Sequence, residues 1–454
     1  MSTPHSRGTA WPWQVDATAS LRMRNEARSQ RSLLSRIRGR GTFAALGIPN
    51  FRIYMVGQLV SVSGNAMQSM AQGLLVLEIT GSGTALGLVT ALQFAPMLLL
   101  TPFGGLLADR VPKRAALYVT QSVSSVLALS LAVLVLSERV ELWHIYVLAG
   151  GFGLVTSLDH PLRGTFIYEL VGPEQLTNAV SLNSVMASLS RVLGPAIGGL
   201  IIATVGLGAC FVYNAVSYVA VIFAMAAMRS DAFHPSTRAE AAKGQLREGF
   251  RYVRSTPELL VPLLLLGVFG TLAWQYPVVL PLLSRFTFHG GAGIYSAFST
   301  LMGVGAITGG LLLAGIPRPT GRTVIVGTAL FGVSTLLVAT APTVTMAMIW
   351  MVPLGGAGMA LIAMLQSTLQ LNTRPEMRGR VMGLFAMALM GSAPIGSPLV
   401  GWIGDHLGPR YGLGLGGVAV LVMGAVAYPA LVRRRLDPAA TPALPAALAT
   451  PTLH

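Results

Sequence analysis

Charge is what this sequence has least of. Only 10% of its 454 residues are Asp, Glu, Lys or Arg, where a water-soluble chain carries roughly a quarter. A surface so poor in charge is not one that faces water throughout. Cysteine is rarer still: Cys210 stands alone inside an apolar run, which excludes an intramolecular disulfide. No Gly-x-x-x-x-Gly-Lys stretch occurs, so ATP hydrolysis by a P-loop is excluded. No His-Glu-x-x-His or Gly-x-Ser-x-Gly stretch occurs either, and His144, His160, His289 and His406 are scattered, with no two at metal-ligand spacing. These absences argue against an enzyme, a metal site and a cofactor, and leave a membrane-embedded enzyme or receptor as the weakest reading.

What is abundant is apolar. Hydrophobic residues make up 53% of the chain and its mean hydropathy is +0.65. Apolar runs fall near 53–78, 86–107, 115–136, 143–162, 179–204, 206–228, 259–283, 293–315, 323–341, 344–368, 380–403 and 411–432. About twenty residues of helix cross a hydrocarbon core some 30 Å thick. The 52 glycines and 27 prolines, many inside these runs, fit closely packed, kinked membrane helices. The expected fold class is an all-α membrane protein with twelve transmembrane helices.

The net charge of +15 is not a nucleic-acid signature. Residues 1–48 form a basic arm with no signal-peptide core, and its arginines are not interleaved with aromatics. The arm is expected to be disordered, cytoplasmic and in contact with anionic lipid, and the Pro/Ala-rich tail 436–454 is expected to be disordered too. With the N-terminus inside, 27 of the 31 Lys and Arg fall on one side, and Arg139, Arg285 and Arg410 on the other. That asymmetry places both termini in the cytoplasm, at the inner (cytoplasmic) membrane of the cell. The one long internal loop, 229–257, divides the spans into bundles at 49–228 and 258–435. Within it, Gly244–Arg254 has helical spacing and a basic face, which predicts a helix along the membrane surface.

The two bundles echo one another. Gly104-Gly-Leu-Leu-Ala-Asp109 recurs as Gly309-Gly-Leu-Leu-Leu-Ala314, Pro173-Glu174 as Pro375-Glu376, and Pro195-Ala-Ile-Gly198 loosely as Pro394-Ile-Gly396. Each pair holds the same place in its bundle. Two parallel six-helix repeats build a central cavity that opens to either side as the halves rock.

The most specific stretch is Gly105-Leu-Leu-Ala-Asp109-Arg110-Val-Pro-Lys113-Arg114 between spans two and three. A glycine there lets helices approach, and a carboxylate at a helix end can face the positive start of a neighbouring helix. The stretch resembles the signature loop of the major facilitator superfamily, with Pro112 where a glycine is usual. The resemblance implies a cytoplasmic gate built from Gly105, Asp109, Arg110, Lys113 and Arg114, closing on the start of span eleven near Gly379–Val381. Span five carries Arg191-Val-Leu-Gly194-Pro195-Ala-Ile-Gly198-Gly199, which resembles the family's antiporter motif and equally suits plain small-residue packing. Asp159-His-Pro161-Leu-Arg163-Gly-Thr-Phe166 and Pro281-Leu-Leu-Ser-Arg285 resemble the branch that holds the enterobactin exporter and macrolide-efflux proteins. Asn65 stands where some of that branch have an aspartate, and Ala66 and Leu74 where many have tryptophan.

Ionisable groups inside spans are functional by default. Arg191 is the only cation deep in a span; it meets a carboxylate, backbone carbonyls or water. Asp159 is its nearest acid in sequence, and serves either Arg191 or the gate cations Lys113 and Arg114. Asp159, Arg191 and Glu78, at the outer end of span one, are the candidates for proton or charge relay. Asn65, Gln68, Gln72, Gln93, Asn183, Asn214, Trp274, Gln275, Tyr276 and Gln366 are candidates for a mostly apolar substrate cavity, suited to a bulky neutral or cationic metabolite. The leading expectation is a monomeric secondary transporter that exports a drug-like or secondary-metabolite small molecule by proton antiport. Uptake or facilitated passage of a small nutrient is the alternative.

Overall fold

The computed structural model describes residues 41, 43–108, 111–229, 233–234, 245–314 and 319–433; for 101–108, 245–247, 314 and 433 it describes the backbone alone. Asp109 and Arg110, most of the arm and linker, and the tail lie outside the described residues.

The described chain is helical throughout. In order come α1 (Pro49–Thr80), α2 (Gly83–Ala108), α3 (Lys113–Leu136), α4 (Leu142–Thr204), α5 (Leu207–Ala226), α6 (Gln245–Arg254) and α7 (Pro257–Val268). They are followed by α8 (Tyr276–Leu282), α9 (Ala292–Ala314), α10 (Gly321–Ala339), α11 (Val344–Asn372), α12 (Arg378–Met390), α13 (Ala393–His406) and α14 (Pro409–Tyr428). Ten stretches are long and apolar enough to cross a bilayer. One of these, α4, has 63 residues and at 1.5 Å per residue would be about 95 Å long, some three hydrocarbon thicknesses. It makes two passes, because Gly172 at φ 67°, ψ −179° breaks it. Only glycine adopts that conformation cheaply, and Pro173 behind it suits the first position of the next helix. The remaining pass is α1, long enough at 32 residues but diluted by Gln58, Ser61, Ser63, Asn65, Gln68 and Gln72. Twelve passes result, as the apolar runs predict.

The sequence places the fourth span's end at 162 and counts Arg163 as a loop cation. The helix instead runs on to Val171, and Arg163 is mostly buried on it. The arm also ends earlier than expected. Ala44–Gly47 forms a 3-10 turn with Ala45 buried, its amide donating to Asn178 Oδ1 at 3.0 Å. Apolar Ala45, Leu46 and Ile48 pack there against the cluster around Phe166 and Leu170.

Helix packing follows a two-fold pattern. Within the first six passes α2 lies on α4 and α3 on α5; within the last six α9 lies on α11 and α10 on α14. Two seams join the sets: α2 against α13, and the second arm of α4 against α9. Exchanging the two sets maps one seam onto the other. Glycines set these distances, since a methyl at Gly305 or Gly355 would overlap the backbone of α11 or α9, and one at Gly153 would overlap Gln93 of α2. The helix expected at Gly244–Arg254 forms as α6 and is pinned to α12 by Glu248–Arg380 at 2.7 Å.

Candidate functional site

A cavity of about 370 Å³ lies between the two sets of helices, within the range of small-molecule sites. Residues of α1 (Ala66, Ser69, Met70), α2 (Thr90, Phe94) and α4 (Arg191, Pro195) face those of the α7–α8 pass, α9, α11 and α13 across it. The α7–α8 pass is broken where it meets the cavity. A π-helical turn, Phe269–Ala273, ends at Trp274, and Trp274 and Gln275 are not helical before α8 resumes. Unwinding of this kind survives inside a membrane protein only where the freed polar groups find partners. Here Gln275 supplies them: its Nε2 donates to Gly270 O at 2.6 Å, and its Oε1 accepts from Ser397 Oγ at 2.6 Å. Trp274 lies between Phe269, tilted with its centroid 5.1 Å away, and Tyr276, edge-on at 5.0 Å.

Of the expected cavity residues, Trp274, Gln275 and Tyr276 line it, and Arg191 joins them. Asn65, Gln68 and Asn214 do not. They close on each other between α1 and α5: Asn214 Nδ2 donates to Gln68 Oε1 at 2.7 Å and to Asn65 Oδ1 at 3.3 Å, and Tyr218 Oη also donates to Asn65. These amides are interhelical glue, worth about 0.6 kcal/mol per bond. Gln72 is buried, Gln93 and Asn183 are half-buried and Gln366 is exposed, none lining the cavity. Ser69, Phe94, Tyr295 and Ser299 line it without having been singled out, because a lone Ser or aromatic in an apolar span has no distinguishing pattern.

The expected pairing of Asp159 with Arg191 or the gate cations gives way to a nearer one. Asp159 accepts from Thr120 Oγ1 at 2.7 Å and Gln121 Nε2 at 2.8 Å, and forms an ion pair with Arg163 one turn on, whose guanidinium also reaches Gln58. The i,i+4 spacing explains it, since both side chains emerge on one face of α4. Lys113 is bound to Glu169 at 2.7 Å. Arg114 donates to Met225 O at 2.7 Å and lies over the rings of Tyr118 and Phe233. Of the remaining gate residues, Asp109 and Arg110 are outside the described residues and Gly105 is described by backbone alone. Glu78 is exposed on the last turn of α1, off the cavity.

The antiporter-like glycines are packing positions. Side chains at Gly194 and Gly198 would meet Ala66 and Met67 of α1, and one at Gly199 would overlap Ser296 of α9. Ser296 Oγ donates to Pro195 O at 2.7 Å across that seam.

The other seam carries a feature absent from the sequence expectations. Asp405, on the last turn of α13, receives four hydrogen bonds from the start of α2: Gly83 N at 2.5 Å, Thr84 N at 2.8 Å, Thr84 Oγ1 at 2.7 Å and Ser82 Oγ at 2.8 Å. The first amides of a helix have no partner of their own and carry its positive end, so a carboxylate is their natural complement. Ser82, the residue before α2, also accepts from Ala85 N. Among the described residues, every side-chain hydrogen bond between the two sets is either this clasp or Ser296–Pro195, and both lie on the Asp405 side of Arg191. Ser82-Gly-Thr84 reads as a helix start in the sequence. Its apposition to an acid more than 300 residues away does not.

Residues 40–448 match the family model described as a transmembrane secretion effector. The chain belongs to that family, within the major facilitator superfamily. The chain is 26% identical over 391 residues to the enterobactin exporter EntS of Escherichia coli O1:K1 / APEC, covering 85% of this chain and 93% of that one. Solved structures share the fold, among them the following two. A bacterial homolog of the human lysosomal transporter Spinster, in an inward-facing, unoccupied conformation, has a TM-score of 0.68 at 15% identity and covers 86% of this chain and 99% of its own. A D-xylose-proton symporter has a TM-score of 0.64 at 14% identity, covering 83% and 97%. The chain is thus a multi-pass major facilitator transporter of the exporter branch.

Proposed function

We propose that the protein exports a drug-like or secondary-metabolite small molecule across the cytoplasmic membrane by alternating access, driven by proton antiport. One observation carries the reading: a small-molecule cavity lies between two sets of helices that a carboxylate clasp joins at the Asp405 end. In the orientation that the basic loops favour, Lys113, Arg163 and both termini are cytoplasmic and Asp405 is outside. The clasp then holds the outer side shut while cargo enters from the cytoplasm. Opening it and closing the Asp109 loop on the start of α12 would release cargo outward.

Asp159 is the best proton candidate: it is the one acid buried among the described residues, whereas Glu78 is exposed. Neutralising it would free Arg163 and Gln58, which tie α1 to α4. The direction of transport is supported by the likeness to EntS, an enterobactin exporter by name. The fold does not set it, since a proton symporter shares that fold. Nutrient uptake is therefore the second reading. A susceptibility panel in a pump-deficient host, with and without an uncoupler, tests both. Lower susceptibility that an uncoupler abolishes is expected, and indifference to the uncoupler would remove proton coupling.

A further inference from the structure

We infer that the central cavity selects organic anions: an aromatic or otherwise apolar body that bears a single acidic oxygen, held by Arg191. The inference rests on reading this cavity as the cargo site and sharpens it, replacing the neutral or cationic cargo expected from the sequence.

Three observations converge. Arg191 is the sole Asp, Glu, Lys, Arg or His among the residues that line the cavity. No hydrogen bond or ion pair joins its side chain to any described residue; the carboxylate expected to neutralise it, Asp159, is held by Arg163. Arg191 is exposed to the cavity, and an ionisable side chain that faces a cavity from inside a membrane span without a counter-charge marks a place where cargo or a coupling ion passes. The second unsatisfied group is Tyr276 Oη, buried and without a partner, on a residue that lines the same cavity. Both groups can donate, and a guanidinium offers a paired N–H fork matched to a carboxylate or a phenolate oxygen. The third is the rest of the lining: Phe94, Trp274, Tyr295, Met302 and Met359 offer flat and adaptable apolar surface. The amide beside them, Gln275, is engaged by Gly270 and Ser397. Unpaired donors in an apolar chamber without an acid recognise an anion and reject an ammonium.

The backbone makes the placement of Arg191 rigid. Its carbonyl lies 3.0 Å from where a side chain at Gly303 of α9 would begin, and one turn on Pro195 O is held by Ser296. The backbone of Arg191 is therefore held beside the α4–α9 seam. An anion bound there adds a contact at that seam, which gives the cargo a means of biasing the conformational equilibrium.

The test uses three probes of one body: 1-pyrenebutyrate, its methyl ester and 4-(pyren-1-yl)butylamine. They are titrated into the full chain in phosphatidylcholine nanodiscs, with empty discs subtracted. The acid is expected to bind about tenfold or more tighter than the ester, with the amine weakest, as one charge-assisted contact implies. Arg191→Gln should bring the acid-to-ester ratio to about one, Arg191→Lys should keep part of it, and Tyr276→Phe should weaken the acid a few-fold. Equal affinity for all three probes, no binding of any, tighter binding of the amine, or an unchanged ratio in Arg191→Gln would overturn the inference. Should Arg191→Gln not yield monodisperse protein, the wild-type ratio together with Arg191→Lys and Tyr276→Phe decides. Transport is read separately in vesicles: a protein that binds the acid but moves no probe keeps the anion selectivity and loses the cargo-site reading.

Discussion

Replacing Asp405 should shift the protein toward a state open at the Asp405 end. Four donors of α2 converge on that carboxylate. A hydrogen bond to a charged group is worth about 1.5–3 kcal/mol at most, and a carboxylate at a helix start adds about 0.3–1 kcal/mol. Asp405 is exposed, so water takes over much of this when the clasp is cut. A net cost of about 2 kcal/mol is reasonable, about thirtyfold in the equilibrium between closed and open ends. Asp405→Asn keeps one carbonyl acceptor and should give roughly half of that energy. Spin labels at Ser137→Cys and Thr340→Cys, at the ends of α3 and α10, report the separation by pulsed electron resonance. The one native cysteine, buried Cys210, is first changed to Ala. The long-distance population should rise in Asp405→Ala and rise less in Asp405→Asn. Unchanged distributions in Asp405→Ala would refute the clasp.

The ion pair of Asp159 and Arg163 gives a second expectation. Asp159→Asn should lower the melting temperature measured by fluorescence-detected size exclusion, since it leaves a mostly buried guanidinium without its counter-charge at a cost of about 2–3 kcal/mol. The exchange Asp159→Arg with Arg163→Asp should recover part of the loss. Gly172→Ala should destabilise by about 1–3 kcal/mol, because alanine resists φ 67° with an extended ψ; the same readout checks it. Gly199→Val should leave expression intact but reduce transport severely in a drug-susceptibility assay, since its side chain would press on Ser296 across the α4–α9 seam. Asp109→Asn should abolish transport at normal expression if the signature loop forms the inner gate.

Local chemistry was legible in the sequence and apposition was not. Span number and the basic-faced helix α6 follow from run length and charge spacing, which are properties of neighbouring residues. The broken α7–α8 pass was foreshadowed by the cluster Trp274-Gln275-Tyr276, polar and aromatic in an apolar run, and these three do reach the cavity. Asn65, Gln68 and Asn214 looked the same in the sequence yet face a neighbouring helix, because helical spacing gives a face without naming what that face meets. Arg163 counts as a loop cation in the sequence because the apolar run 143–162 ends just before it. The helix continues through it, and the helical register then brings Arg163 to Asp159 one turn away. Asp405 could not have been paired with Ser82–Thr84 by any local rule, since the contact exists only once the two sets of helices are packed.

In the proposed cycle, cargo moves from the basic, cytoplasmic end through the cavity and out past Asp405. This route is tested most directly by loading inverted and right-side-out membrane vesicles with an imposed proton gradient and following 1-pyrenebutyrate. Gradient-dependent accumulation in inverted vesicles, lost with an uncoupler and in Arg191→Gln, is predicted; accumulation confined to right-side-out vesicles would contradict export.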